Sequence, residues 1–239
     1  MMRGMSSPQR DHTFFRSMAI IIAVAVLVGF ARTYGSALLN GTSTVPWIIH
    51  LHAVVFTAWL MLFVVQTTLI GRDRVALHRT VGTAGMFLAA SMLIVGVAAA
   101  ITVARLGRRG IPGVEFPDPE GFMLLSIVAI AVFSVLVSAA WVYRRKPQIH
   151  KRLMLMATAG PLVGPGVSRW PVVSGNSAAI GILVVSFLLA GPIYDLVTRR
   201  RIHPAYIVGV VLGLLGAPPV VMAMSATAAW HSAAAWPMR

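Results

Sequence analysis

Cysteine is absent from all 239 residues. Disulfides, thiol catalysis and cysteine-ligated metal are therefore excluded, although the compartment is not identified by that absence. Charge is also scarce, with Asp, Glu, Lys and Arg together making 11% of the chain. The motifs of soluble enzymes are missing as well: there is no Walker loop, dinucleotide glycine fingerprint, serine-histidine-aspartate set or zinc-type motif. Neither an internal repeat nor a low-complexity segment occurs, and no inverted halves of the kind that build many transporters are visible.

Apolar residues are abundant instead, at 58% with a mean hydropathy of +0.83, far above a soluble domain of average usage. The pattern predicts an all-α, polytopic membrane helix bundle forming a single domain over 1–239. Seven stretches approach the roughly 18–20 apolar residues that cross a bilayer as helix. They are Ser17 to Leu38, Trp47 to Ile70, Val81 to Ala104, Phe122 to Tyr143, Leu153 to Trp170, Ala178 to Val197 and Ala205 to Ala226.

The net charge of +14 sits at the ends of these runs rather than along one face, which argues against nucleic acid and for a lipid bilayer as the partner. With the N-terminal tail (1–16) inside, 14 of the 20 basic residues, from Arg3 to Arg201, fall on the inner side and 6, from Arg32 to Arg239, on the outer. That asymmetry predicts an inner N-terminus and an outer C-terminus. A basic tail before a short apolar core, with "YGSA" near its end, also gives the first span the make-up of a cleavable signal peptide. The turn-rich loop 105–121 is the expected outer lid or docking surface.

The segment "LIGRDRVALHRTVG" packs three arginines and a histidine between two apolar runs. Following the chain through the membrane brings His78 and His150 to the inner interface on different helices. A porphyrin iron held by two imidazoles needs histidines from facing helices and small residues beside them, which makes His78 and His150 candidate metal ligands and Gly82 the space for the macrocycle. Arg72, Arg74, Arg79, Lys151 and Arg152 lie at the depth of its propionates. Histidines and arginines at an interface also anchor helix ends, and spaced glycines also pack helices, so this structural reading stands beside the functional one.

The run "LHAVVFTAWLMLFVVQTTLIGRDRVALHRTVG" resembles one half of a cytochrome b561 core, and is similar to uncharacterised bacterial multi-pass proteins of the DUF2306 type. The matching positions are His52, Gln66, His78, Arg79 and Gly82. The resemblance implies a bacterial inner-membrane protein with haem b as cofactor, exchanging electrons with a quinone, a carrier or a redox partner. It also implies two haems on two histidine pairs, yet the fourth span has no histidine; His52 is left to find His50, His231 or nothing.

Other polar residues bear on alternatives. Asp195 is the one acidic residue well inside a predicted span, with Arg199 a turn away as a local partner or a proton relay. Pro161 and Pro165 predict a broken fifth helix. Arg169 and Trp170 with His50 and His52 suit an outer polar pocket for a quinone head or small anion, and equally an aromatic belt with one snorkelling arginine. His203 before Pro204 suits a helix start. Three functions follow: a haem-b redox protein, a small-molecule or proton-coupled transporter, and a membrane structural or assembly protein without a cofactor.

Overall fold

The computed structural model describes residues 7–41 and 45–238. Arg3 and Arg239, counted above, and the first residues of the N-terminal tail lie outside the described residues. The chain is all-helical apart from a two-stranded hairpin. α1 (Ser7–Phe30) runs on through a π-helical turn (Ala31–Gly35) and a last α turn (Ser36–Leu39). Then come α2 (Trp47–Gly71), α3 (Val75–Arg105), α4 (Pro119–Val142), α5 (Pro147–Val167) and α6 (Ser177–Arg199). The C-terminal part comprises α7 (Pro204–Leu215), α8 (Pro218–Ser225) and α9 (Ala228–Met238).

The boundaries follow local chemistry. Proline opens α4, α5, α7 and α8, where its missing N–H has no intrahelical partner to lose. Asp118 and Asn176 cap α4 and α6 by accepting from the Gly121 and Ala179 amides at 2.6 and 3.0 Å. His203 caps α7 as its position suggested, Nδ1 accepting from the Ala205 amide at 3.1 Å. Burial, and then the Arg152 charge, push the His203 pKa below its usual range, which favours the neutral ring that this cap requires.

Among the described residues, five helical stretches are long and apolar enough to cross a membrane, namely Pro8–Leu39, α2, α3, α4 and α6; α7 and α8, bent by 49° at their junction, make a sixth if they count as one span. Large apolar side chains such as Phe87, Ile94, Val142 and Val197 remain at least 70% exposed, as lipid contact requires. Seven spans were expected. The exception is α5, which carries Lys151 and Arg152 in its second turn and is the most enclosed helix, packing against α1, α4, α6 and α7. It also corrects the expected break: α5 is continuous through Pro161 and Pro165. Each proline removes one ladder donor, but neighbouring helices hold the segment.

Close backbone approach explains how α5 reaches the centre. A Cβ on Gly29 of α1 would lie 2.0 Å from the Gly166 carbonyl oxygen, and one on Gly166 would lie 2.6 Å from the Val26 Cα. Two glycines thus let the helices touch at backbone distance. At the same end, the expected lid is a packed hairpin, Gly110–Ile111 with Val114–Glu115, whose Val114 and Phe116 are buried with Leu124 and Val221. α9 folds over it, with Trp230 Nε1 donating to the Glu120 carbonyl (3.2 Å) and His231 Nδ1 meeting the Glu120 carboxylate (2.7 Å).

Gly166→Val should therefore separate α1 from α5 and destabilise the protein by about 1–3 kcal/mol or more, the usual range for overpacking. Gly181→Ala, where an added Cβ meets nothing within 4 Å, should leave thermal unfolding in detergent unchanged. Equal melting of the two variants would remove the backbone-contact explanation.

Candidate functional site

α3 begins six residues before the apolar run that announces it, because the linker after α2 is only Arg72–Arg74, with Asp73 at φ 58°. His78 therefore sits within the first turns of α3, half-buried. His150 lies in the first turn of α5. The two rings come together with centroids 6.2 Å apart and planes at 84°.

Each ring is held by a neighbour. His150 Nδ1 lies 2.8 Å from the Ala140 carbonyl, which can only accept, so Nδ1 carries the proton and Nε2 keeps its lone pair. Ala140 belongs to the last turn of α4, where carbonyls lack intrahelical partners. Gln66 of α2 reaches His78: with its carbonyl oxygen on the Gly82 amide (2.8 Å), its own N–H groups face the His78 carbonyl (3.2 Å) and His78 Nδ1 (2.5 Å). In that orientation every donor meets an acceptor.

This changes the role expected for Gly82. A Cβ there would come within 3.3 Å of the Gln66 amide atom that faces the Gly82 N–H, its oxygen in this orientation, so the glycine makes room for Gln66 rather than for a macrocycle. At Gly85 a Cβ would meet Leu62 at 2.7 Å, which is helix packing.

The histidines border a cavity of about 1310 Å³ that reaches the basic end of the bundle. Its wall combines apolar Trp59, Leu62, Phe63, Met86 and Val137 with Arg79, Arg144, Arg145 and Arg201. Arg79 is exposed and lines this cavity.

Arg152 is corrected. Instead of waiting for an anionic ligand, it is 1% exposed and makes two 2.8 Å bonds to Asp195 on α6, with further bonds from Nη1 to the Gln148 carbonyl and side chain. Asp195 is fully buried and also accepts from Arg199 at 2.7 Å, the local pair expected from spacing. Sequence reasoning missed Asp11. It accepts from Arg199 at 2.5 Å and from Tyr194 Oη at 2.8 Å, and pairs with Lys151, so Lys151 too is committed within the protein. Asp11 lies upstream of the apolar run, and its only signal was the continuation of helix toward the N-terminus.

His52 is not brought to His78. It lies fourteen residues before Gln66, roughly 21 Å along the helix at the usual rise, stacked on Phe56 at 3.9 Å with Nδ1 buried and unpartnered among the described residues. Its neighbours at this end are each engaged within the protein. His50 bonds Tyr34 at 2.5 Å, Trp170 donates to the Ala25 carbonyl at 3.0 Å, and Arg169 donates to the Pro165 carbonyl while its guanidinium covers Phe30 at 4.4 Å.

Comparison of the chain with protein-family models, curated proteins and solved structures gave no match.

Removing one partner of a buried ion pair strands the other. Asp195→Leu should cost about 3–5 kcal/mol, whereas the double change Arg152→Met with Asp195→Leu should recover much of it. Thermal unfolding of the single and double variants in one detergent checks this, and a double variant as unstable as the single would show that the pair is not the seat of the effect.

Proposed function

We propose that the protein is a haem-b membrane redox protein, in which His78 and His150 would hold the iron, with the basic end on the cytoplasmic side of a bacterial inner membrane. The observation that carries this reading is the separation of the two rings. Imidazoles bonded through nitrogen to opposite sides of one metal ion, at about 2.0–2.1 Å each, have centroids roughly 6 Å apart; here the distance is 6.2 Å.

The surroundings suit the same group. His150 presents an unprotonated Nε2 and donates its other N–H to a backbone carbonyl, the usual arrangement of a metal-ligating histidine. Trp59, Phe63 and Met86 offer an apolar wall, and Arg79, Arg144 and Arg145 at the rim are placed to pair with carboxylates. His78 would complete the set, provided its Nε2 gives up a proton. When bound, haem supplies a one-electron couple whose potential responds to its ligands and their hydrogen-bond partners. The protein's own part is to hold two imidazoles, exclude water with the apolar wall and neutralise the propionates. Electrons would pass to or from a quinone or a carrier at the basic end. His52 has no place in this site, and a second haem is not proposed.

The protein purified after haem is supplied during expression should give a sharp Soret shift and an alpha band on dithionite reduction. His78→Ala or His150→Ala should abolish the six-coordinate low-spin spectrum, and His203→Ala or His231→Ala should not. Arg79→Ala should weaken retention or shift the potential without removing a ligand. A colourless wild-type protein would end the haem reading and turn attention to the same cavity as the vestibule of a transporter.

A further inference from the structure

The two histidines face one cavity, but their hydrogen bonds set their protons differently. We propose that Gln66 is a positioning residue that decides which nitrogen of His78 carries the proton, holding that ring in the tautomer opposite to His150 until a metal-bearing group binds. The second half of the statement rests on the haem reading; the first does not.

The geometry fixes the Gln66 amide from two sides. Its oxygen accepts from the Gly82 amide at 2.8 Å, and its nitrogen donates to the His78 carbonyl at 3.2 Å. Gly82 keeps this seat open, since a Cβ there would stand 3.3 Å from the amide oxygen so placed. With the amide so placed, an N–H points at His78 Nδ1, 2.5 Å away. Nδ1 must accept, which leaves the proton on Nε2. His150, donating from Nδ1 to Ala140, carries no proton on Nε2. One ring therefore offers a donor where the other offers an acceptor.

Ligation by His78 through Nε2 requires that the proton on Nε2 leave and that one be taken up at Nδ1, with no net release. Nδ1–H would then confront the Gln66 N–H, donor against donor. The conflict ends when the amide turns over and presents its oxygen to Nδ1, at the expense of its two backbone bonds. Gln66 thus opposes binding in one orientation and supports it in the other. A carboxylate at the same place escapes most of this conflict, because its two oxygens accept from His78 Nδ1–H and from the Gly82 amide together and only the bond to the His78 carbonyl is given up.

Two measurements decide the matter. In the haem-free protein labelled with 15N-histidine and held at alkaline pH, where both rings are neutral, His78 should show a protonated Nε2 and His150 a protonated Nδ1, each assigned with His78→Asn and His150→Asn. Gln66→Leu should abolish the His78 preference and leave His150 unchanged. If Gln66→Leu fails to fold, Gly82→Ala, whose methyl presses on the amide, should give mixed His78 tautomers instead. In haem-loaded protein, Gln66→Glu should slow haem loss and lower the midpoint potential, whereas Gln66→Leu should speed loss by about tenfold, the lower end for a lost hydrogen-bond partner of a metal ligand. Identical tautomers at His78 and His150, an unaltered His78 signal in Gln66→Leu, or haem loss from Gln66→Glu no slower than from wild type would each overturn the proposal. A colourless wild-type protein would sink the haem reading alone, and the imidazole signals would still decide whether Gln66 sets His78.

Discussion

The buried pair of Arg152 and Asp195 is the constraint on which the basic end of this bundle depends. A guanidinium and a carboxylate with 1% and 0% exposure are held at 2.8 Å between helices that are otherwise apolar. Neither charge is tolerable there alone, so α5 and α6 have one mutual depth at which both are satisfied. The pair is extended rather than isolated. Arg199 joins Asp195 to Asp11, and Asp11 gathers Lys151 and Tyr194, which fastens the start of α1 to the same cluster. An N-terminal helix, the central helix and the sixth are thereby locked in register near one membrane face.

That register positions the histidines. His150 is two residues before Arg152, so the depth that suits the guanidinium also presents the imidazole to the end of α4, where Ala140 has a carbonyl to spare. On the other side, the three-residue linker between α2 and α3 leaves little freedom, and Gln66 bridges the two helices through His78 and Gly82. The rings meet because two separate pairs of helices are fixed, one by a buried ion pair and the other by an amide. This division has a chemical consequence, since ion pairing sets where His150 stands, whereas hydrogen bonding sets what His78 can donate.

The basic residues divide along the same line. All six line the cavity, but Lys151, Arg152 and Arg199 are paired with carboxylates, while Arg79, Arg144 and Arg145 make no such pair among the described residues. Similar residue types a few positions apart thus differ in what is left to them, the first holding helices together and the second remaining available to an anion. What separates them is whether a carboxylate from another helix comes within reach.

Apolar run length and end charge were enough to reveal an all-helical membrane protein, because burying backbone in lipid demands helices of a certain length whatever their neighbours. They also made His78 and His150 the pair to examine, and Asp195 with Arg199 a local contact, since both follow from spacing along the chain. Gly82 and Arg152 were legible as special residues, but their partners were not. Gln66 fills the space beside Gly82, and Asp195, 43 residues on, takes the guanidinium of Arg152. The continuity of α5 across two prolines, the bend between α7 and α8 and the isolation of His52 also escaped the sequence. Each depends on which helix lies alongside, and a linear pattern holds the chemistry of a side chain without the identity of its neighbour.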